Sequence, residues 1–195
     1  MNENDLNNLS DEELILEFQR TNNERAFNLL VKRFKNPLIN YVYRFLGDYD
    51  SCVDVIQDTF VKVYRYKDRY TEVAKFSTWI YTIATNLAKT EYQRRKRVKT
   101  FSISGFGEEE NNYEIKDNSF RPDKSVDSLY KEEQIQKALL KVKIVYREPV
   151  ILRDIQGMTY EEIADILNIE VGTVKSRINR GRKRLQKLLK NVYKD

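Results

Sequence analysis

The sequence predicts an all-α protein of two helical domains joined by a flexible linker, the C-terminal one a helix-turn-helix. Three observations carry that prediction. Apolar residues recur at helical spacing along most of the 195-residue chain, which has only six Gly and three Pro and no alternating apolar-polar run bounded by turns. The period fails once, from about Thr100 to Ser125, where "TFSISGFGEEENNYEIKDNSFRPDKS" mixes Ser, Gly, Asn, Pro and acids. Near the C-terminus two amphipathic stretches flank a short turn, the spacing of a helix-turn-helix. The domains predicted from these signals are 1–99 and 127–195, with a linker over 100–126.

The first helix starts at "SDEEL", where Ser10 caps and Glu13 three residues on completes a capping box. A second runs through "ERAFNLLVKRF". A third is expected to start at Asn36 and Pro37, cap and first-turn proline, and to stop near Gly47. The fourth, "DSCVDVIQDTFVKVYRY", takes Asp50 as its cap and Val53, Ile56, Phe60 and Val63 as its apolar stripe, leaving Asp54, Gln57, Asp58 and Val61 on the other side. The fifth, "FSTWIYTIATNLAKTEYQRRKR", repeats apolar residues at Ile80, Ile83, Ala84 and Leu87 and ends in Arg94, Arg95, Lys96 and Arg97, which also suit the helix dipole. Beyond the linker come "SLYKEEQIQKALLKVK", "YREPVILRDIQG" and the final pair, "TYEEIADIL" and "GTVKSRINRGRKRLQKLLK", about the turn "NIEV".

Composition narrows the function. The chain is 41% hydrophobic and 33% charged, with a net charge of +5 whose meaning depends on placement: "RRKRVK" is strongly basic and "GEEENNYEIKD" acidic. One cysteine, Cys52, precludes an intrachain disulfide and reads as a small core or boundary residue; the expected location is the cytoplasm. No apolar run approaches the roughly 18 residues of a membrane helix, and the acidic N-terminus is unlike a secretory signal, so direct membrane insertion is not expected. With no histidine and one cysteine, neither a metal site nor a cofactor is expected. The acids have no phosphate loop or nucleophile elbow to organise them, and the chain reads as non-enzymatic.

The last helix carries the strongest signal. "VGTVKSRINRGRKRL" holds six cations and no acid, yet keeps Val174, Ile178 and Leu185 at helical spacing. One face must pack while the other meets something negative. Val174 and Ile178 form a compact set with Ile163, Ala164, Leu167 and Ile169, Ala164 being small where two helices cross. Thr173, Lys175, Ser176, Arg177, Asn179 and Arg180 are expected around the outer surface, cations for phosphate mixed with donors able to read base edges. The expected partner is a DNA major groove; the bland alternative is a basic amphipathic helix and nothing more.

Three stretches together carry a family resemblance. "DVIQDTFVKVY", "FSTWIYTIATNLAKTEYQRRKR" and "YREPVILRDIQGMTYEEIADILNIEVGTVKSRINRGRKRL" resemble an extracytoplasmic-function (ECF) RNA polymerase sigma factor over nearly the whole chain. The resemblance implies a region-two-like domain over 1–99 that binds core polymerase and melts the minus-ten region, and a region-four-like domain over 127–195 that reads the minus-thirty-five element. It implies core-polymerase contact through Asp54, Gln57, Asp58 and Val61, with Phe60 holding the helix in place; the plain alternative is an acidic solvated face. It also implies capture of the melted minus-ten strand by the fifth helix and the loop "RYTEVAKFSTW", through Trp79, Asn86, Lys89, Tyr92, Arg94, Arg95, Lys96 and Arg97, whose aromatic faces, amide and cations suit unstacked bases and phosphates. Trp79 fits packing equally well. An anti-sigma factor is a further implied partner. Two positions depart from the family pattern: "KVKIVYREP" stands where "LP" is frequent, and Glu170 stands where Ser or Pro is common, which predicts a weak cap. The competing functional reading is a stand-alone helix-turn-helix transcription regulator; a recombinase, which would need a nucleophile or metal cluster, ranks below it.

Overall fold

A computed structural model describes residues 6–103 and 126–190. Among these residues every regular element is helical: α1 Asp11–Thr21, α2 Glu24–Leu46, α3 Tyr49–Arg65, a 3-10 turn Lys67–Arg69, α4 Phe76–Ile103, α5 Val126–Lys141, α6 Ile144–Val150 running into a π-helical turn Ile151–Ile155, α7 Tyr160–Leu167 and α8 Val171–Leu189. Most of the expected linker, 104–125, lies outside the described residues. At its margins α4 continues to Ile103, and α5 begins at Val126.

Local chemistry explains the helix starts. Ser10 Oγ accepts from Glu13 N at 3.1 Å while Ser10 N donates to Glu13 Oε2 at 2.7 Å, the capping box predicted for α1. The second and third predicted helices are one. Pro37 lies inside α2, on its exposed side. A proline there costs about 3 kcal/mol, but the stripe Ala26, Leu30, Phe34, Leu38, Tyr41, Val42 and Phe45 stays in register across it. Burying even Leu38, Tyr41 and Phe45 stabilises by about 1.5–3 kcal/mol each, so continuity wins. Asp48, not Asp50, caps α3, accepting from Ser51 N at 2.9 Å, and Val53 is only half-buried while Cys52, Val55, Ile56, Thr59 and Val63 form the stripe. Burial pushes the Cys52 thiol up to about 12, the behaviour of an inert core residue.

In the C-terminal half, α7 opens on a second capping box, Thr159 with Glu162, and ends at Asn168 in the left-handed region, φ 51°. Glu170 begins α8 without a side-chain cap, as its residue type predicts. Ile163, Ala164, Ile166, Val174 and Ile178 are buried between the two helices, with Leu167, Ile169 and Leu185 packed at the edge. Gly181 lets α8 cross α6 closely: a Cβ there would lie 2.5 Å from Val150 Cγ2 and 2.8 Å from the Tyr146 carbonyl oxygen.

The two halves share one buried core cluster. Arg147, 3% exposed, is its most telling member. Its guanidinium donates to Phe45 O at 2.7 Å in α2, and to Leu140 O at 2.6 Å and Val142 O at 3.0 Å, so one buried cation satisfies the carbonyls at two helix ends. Gln136 Nε2 donates to Tyr43 O at 3.1 Å. Gly47, the left-handed end of α2, leaves room for Leu140.

Candidate nucleic-acid and polymerase interfaces

The α3 surface is built by its own stripe. With Cys52, Ile56, Thr59 and Val63 inward, Asp54, Gln57, Asp58 and Val61 share the outer side and all are exposed, as expected. Phe60 is half-buried, edge-on to Phe27 at 6.4 Å between ring centroids. An acidic strip with an exposed apolar residue at one end suits a basic, partly apolar partner.

Beyond α3, the loop into α4 is tied down on several sides. Gln19 Nε2 donates to Lys67 O and Tyr70 O at 2.6 and 2.9 Å, the Lys67 ammonium reaches Phe18 O and Asn22, and Phe76 N donates to Glu12 Oε1 at 2.9 Å. Trp79 is half-buried in this base, 5.5 Å from the Tyr70 ring and 5.9 Å from the Phe76 ring, so it packs with its neighbours here. Tyr92 is likewise half-buried, edge-on to Phe45. Asn86, Arg94, Lys96 and Arg97 are exposed.

Several of the α4-side cations already have partners. Arg94 forks onto Glu91 at 2.7 and 2.8 Å, and Arg95 lies 3.7 Å from Asp48. Two pairs reach across to the C-terminal half. Lys75, in the loop, donates to Glu162 Oε1 at 2.8 Å, and Lys89 Nζ sits 2.9 Å from Glu148 Oε1 as an ion pair without hydrogen-bond alignment. Tyr81 OH adds a bond to Gln156 Oε1 at 2.7 Å. Glu148 is 4% exposed; burial raises its carboxyl above the ordinary value, opposed by Lys89 and by the charge of Arg177. Burial also pushes Glu162 upward, but hydrogen bonds from Lys75 and the Thr159 backbone outweigh it and hold the carboxyl below the ordinary value.

On α8, Lys175, Ser176, Asn179 and Arg180 face outward, and Lys175, Ser176, Asn179, Arg180 and Lys183 line one shallow groove with Gly172. Thr173 and Arg177 are half-buried, a departure from the uniform outer placement predicted. Arg177 lies three residues after buried Val174 and one before buried Ile178, on the rim of the packed stripe, where its charge bears on Glu148. The partners flanking this helix leave no local signal in the sequence. Arg180 bonds the Tyr146 hydroxyl and draws the phenol below its ordinary value, and Arg182 forks onto Asp154 with Nε at 3.0 Å. The cross-half contacts of Arg147 and Glu148 did leave one signal: adjacent opposite charges interrupting the apolar run "IVYREPVIL".

Among the described residues, no helix is long and apolar enough to cross a membrane, and no group of three or more His, Cys, Asp or Glu could hold a metal ion.

Known proteins match both halves. The family model of Sigma-70 region 2 matches residues 30–98, and that of Sigma-70, region 4 matches residues 132–185. The chain is 35% identical over 169 residues to the ECF RNA polymerase sigma factor SigW of Bacillus subtilis, across 86% of this chain and 90% of that one. It is 30% identical over 188 residues to the RNA polymerase sigma-H factor of Pseudomonas aeruginosa, across 95% and 96%. Among solved structures it is similar to the sigma factor RpoE in complex with the anti-sigma factor NepR from Bartonella quintana, with TM-score 0.68 and 26% identity over 85% of this chain and 98% of that one. A second is CnrH in complex with the cytosolic domain of CnrY, with TM-score 0.70 and 25% identity over 93% and 97%.

Proposed function

The chain belongs to the extracytoplasmic-function family of RNA polymerase sigma factors, and from that premise we propose how its residues divide the work of promoter-directed initiation. The N-terminal half docks on core polymerase through the outer side of α3 and holds the melted minus-ten strand through α4 and its preceding loop; the C-terminal half reads the duplex minus-thirty-five element. The polymerase does the chemistry and this chain supplies placement. The observation that carries the reading is the coexistence, on one chain, of the exposed Asp54, Gln57, Asp58 and Val61 strip and of a cationic helix-turn-helix face. A stand-alone regulator has a use for the second and none for the first.

Base reading falls to Lys175, Ser176, Asn179 and Arg180 on the outer α8 face, where the N-terminal part of an inserted helix approaches base edges. Arg177 joins them when its neighbourhood with Glu148 is relieved. Strand capture falls to Asn86, Lys89, Tyr92 and the Arg94–Arg97 run, with Lys75 beside them and Trp79 bracing the loop. Because Lys75 and Lys89 are paired with Glu162 and Glu148, strand capture requires the two halves to part, and binding to core polymerase is the step that parts them. The exposed Lys75 pair is screened by water and holds little; the buried Arg147 bonds hold the halves more firmly. The complex of the similar RpoE with NepR supports an anti-sigma partner for this chain, and the absence of a long apolar helix among the described residues accords with action in the cytoplasm.

The test is co-purification with core RNA polymerase followed by run-off transcription from promoters selected by the reconstituted holoenzyme. Promoter-specific transcripts that need this chain are expected. Duplex binding without polymerase and no transcript would favour the stand-alone regulator.

A further inference from the structure

Tyr160, the first residue of α7, takes no part in the reading above, yet two cations converge on its ring. The Arg153 guanidinium lies 4.7 Å from the ring centroid and the Lys175 ammonium 5.5 Å from it. Arg153 is itself anchored, donating through Nη1 to Met158 O at 2.6 Å. Tyr160 is anchored too: it is half-buried, packed against the core cluster, and set by the Thr159–Glu162 capping box immediately around it. A fixed aromatic face therefore stands beside the α8 groove that Lys175, Asn179, Arg182, Lys183 and Gln186 line.

The neighbouring cation shows what is particular about this arrangement. Arg182 is also held, but by the Asp154 carboxylate in a forked pair that cancels its charge. A tyrosine ring attracts an ammonium through its quadrupole and carries no charge of its own, so it orients Lys175 and leaves the full positive charge for DNA. A flexible lysine loses rotamer freedom on binding, and a partner that restrains it beforehand lowers that cost.

We infer that Tyr160 is a positioning residue for upstream-element recognition, presetting Lys175 over its ring so that the ammonium enters the groove already aimed at the DNA. This rests on the C-terminal half being the duplex reader. The tyrosine acts only through Lys175, and it acts through its face, so the hydroxyl is dispensable.

The experiment is a double-mutant cycle in reconstituted holoenzyme, measuring affinity for a duplex upstream-element probe with Tyr160→Phe, Tyr160→Leu, Lys175→Ala and Tyr160→Leu/Lys175→Ala. Tyr160→Phe should bind like the unaltered protein. Tyr160→Leu should lose about two- to five-fold, the range of a partly exposed cation–π contact, and should add nothing to the loss from Lys175→Ala. A structural role alone would instead give additive losses with a lowered melting temperature. Equal defects in Tyr160→Phe and Tyr160→Leu, or additive losses, overturn the inference. Should Tyr160→Leu fail to fold, the unaltered protein decides: Lys175 ε-protons shifted upfield of the other lysines by the ring support it, and unshifted ones refute it. If the unaltered holoenzyme ignores the upstream duplex, the duplex-reading assignment fails and takes this inference with it; if it binds and Lys175→Ala binds equally well, the assignment stands and only the inference fails.

Discussion

The two faces proposed to meet nucleic acid are prepared differently. On α8 the outward residues Lys175, Asn179, Arg180 and Lys183 are exposed. On the α4 side Lys75 and Lys89 are paired with acids of the C-terminal half, and Arg94 and Arg95 with Glu91 and Asp48. A duplex-reading face can be presented ready-made because its target, the major groove, exists before the protein arrives. A strand-capture face has no target until DNA melts, and four of the cations proposed for it, Lys75, Lys89, Arg94 and Arg95, are paired in the meantime with carboxylates. One side is preformed and the other is paired, and substitutions on each side separate the two.

The largest effect is expected from Arg147→Ala. It leaves the buried carbonyls of Phe45, Leu140 and Val142 without the guanidinium that serves them, at a cost of about 2–5 kcal/mol. Chemical denaturation should show a lowered midpoint, and Lys75 and Lys89 should become more reactive to acylation as the halves loosen. Unchanged lysine reactivity in a folded variant would mean that Arg147 does not hold the covered side closed.

Gly181→Ala probes the preformed side. The added methyl meets Val150 and, less forgivingly, the backbone carbonyl of Tyr146, so overpacking should cost about 1–3 kcal/mol. Affinity for the upstream duplex should fall while association with core polymerase is kept. Equal loss of both would show that the faces are not separable.

Reversing Asp54 and Asp58 together should weaken association with core polymerase by about ten-fold through like-charge contact, with helical content intact in circular dichroism. Unchanged affinity in a competition assay would remove α3 as the docking face.

The smallest effect concerns Glu148. Burial raises its pKa in the packed arrangement, so the packed form binds the proton more tightly than an exposed glutamate does. Its favourable contribution is fully present below the ordinary carboxyl value and is lost as pH rises through the raised one. Near neutrality the carboxylate works against packing, with Lys89 and Arg177 offsetting part of the cost. Glu148→Gln should therefore raise the melting temperature at pH 7 by up to about 2–4 °C and flatten its acid dependence. A lower melting temperature at pH 7 would show the ion pair to be net stabilising.

These residues also mark how far the sequence can be read. The Ser10 capping box, the uncapped Glu170, the outward strip of α3 and the crossing of α7 and α8 are local signals, each decided within a turn or two of helix. Pro37 misled because a local breaker was outweighed by burial spread along the rest of α2, and the α3 cap misled because Asp48 and Asp50 are equally suited to the role by type. What lay beyond reach were pairings between residues far apart in the chain: Lys89 with Glu148, Arg147 with Phe45, Lys175 with Tyr160. Helical period says which face of a helix is buried and nothing of what buries it.

The proposed division of labour gives the duplex to the C-terminal half and the melted strand to the N-terminal half. Reconstituted holoenzyme carrying either Lys175→Ala/Asn179→Ala or a neutralised Arg94–Arg97 run, titrated across a salt series on a duplex upstream probe and on a fork-junction probe, tests it most directly. The α8 variant is expected to lose about 1–3 kcal/mol and sequence preference on the upstream duplex while keeping the fork junction. The cluster variant is expected to lose fork-junction affinity and to show a shallower salt slope, by up to about one phosphate contact per cation removed, while keeping upstream preference. If the α8 variant loses only the fork junction, or the cluster variant loses only upstream preference, the division of labour between the two halves is wrong.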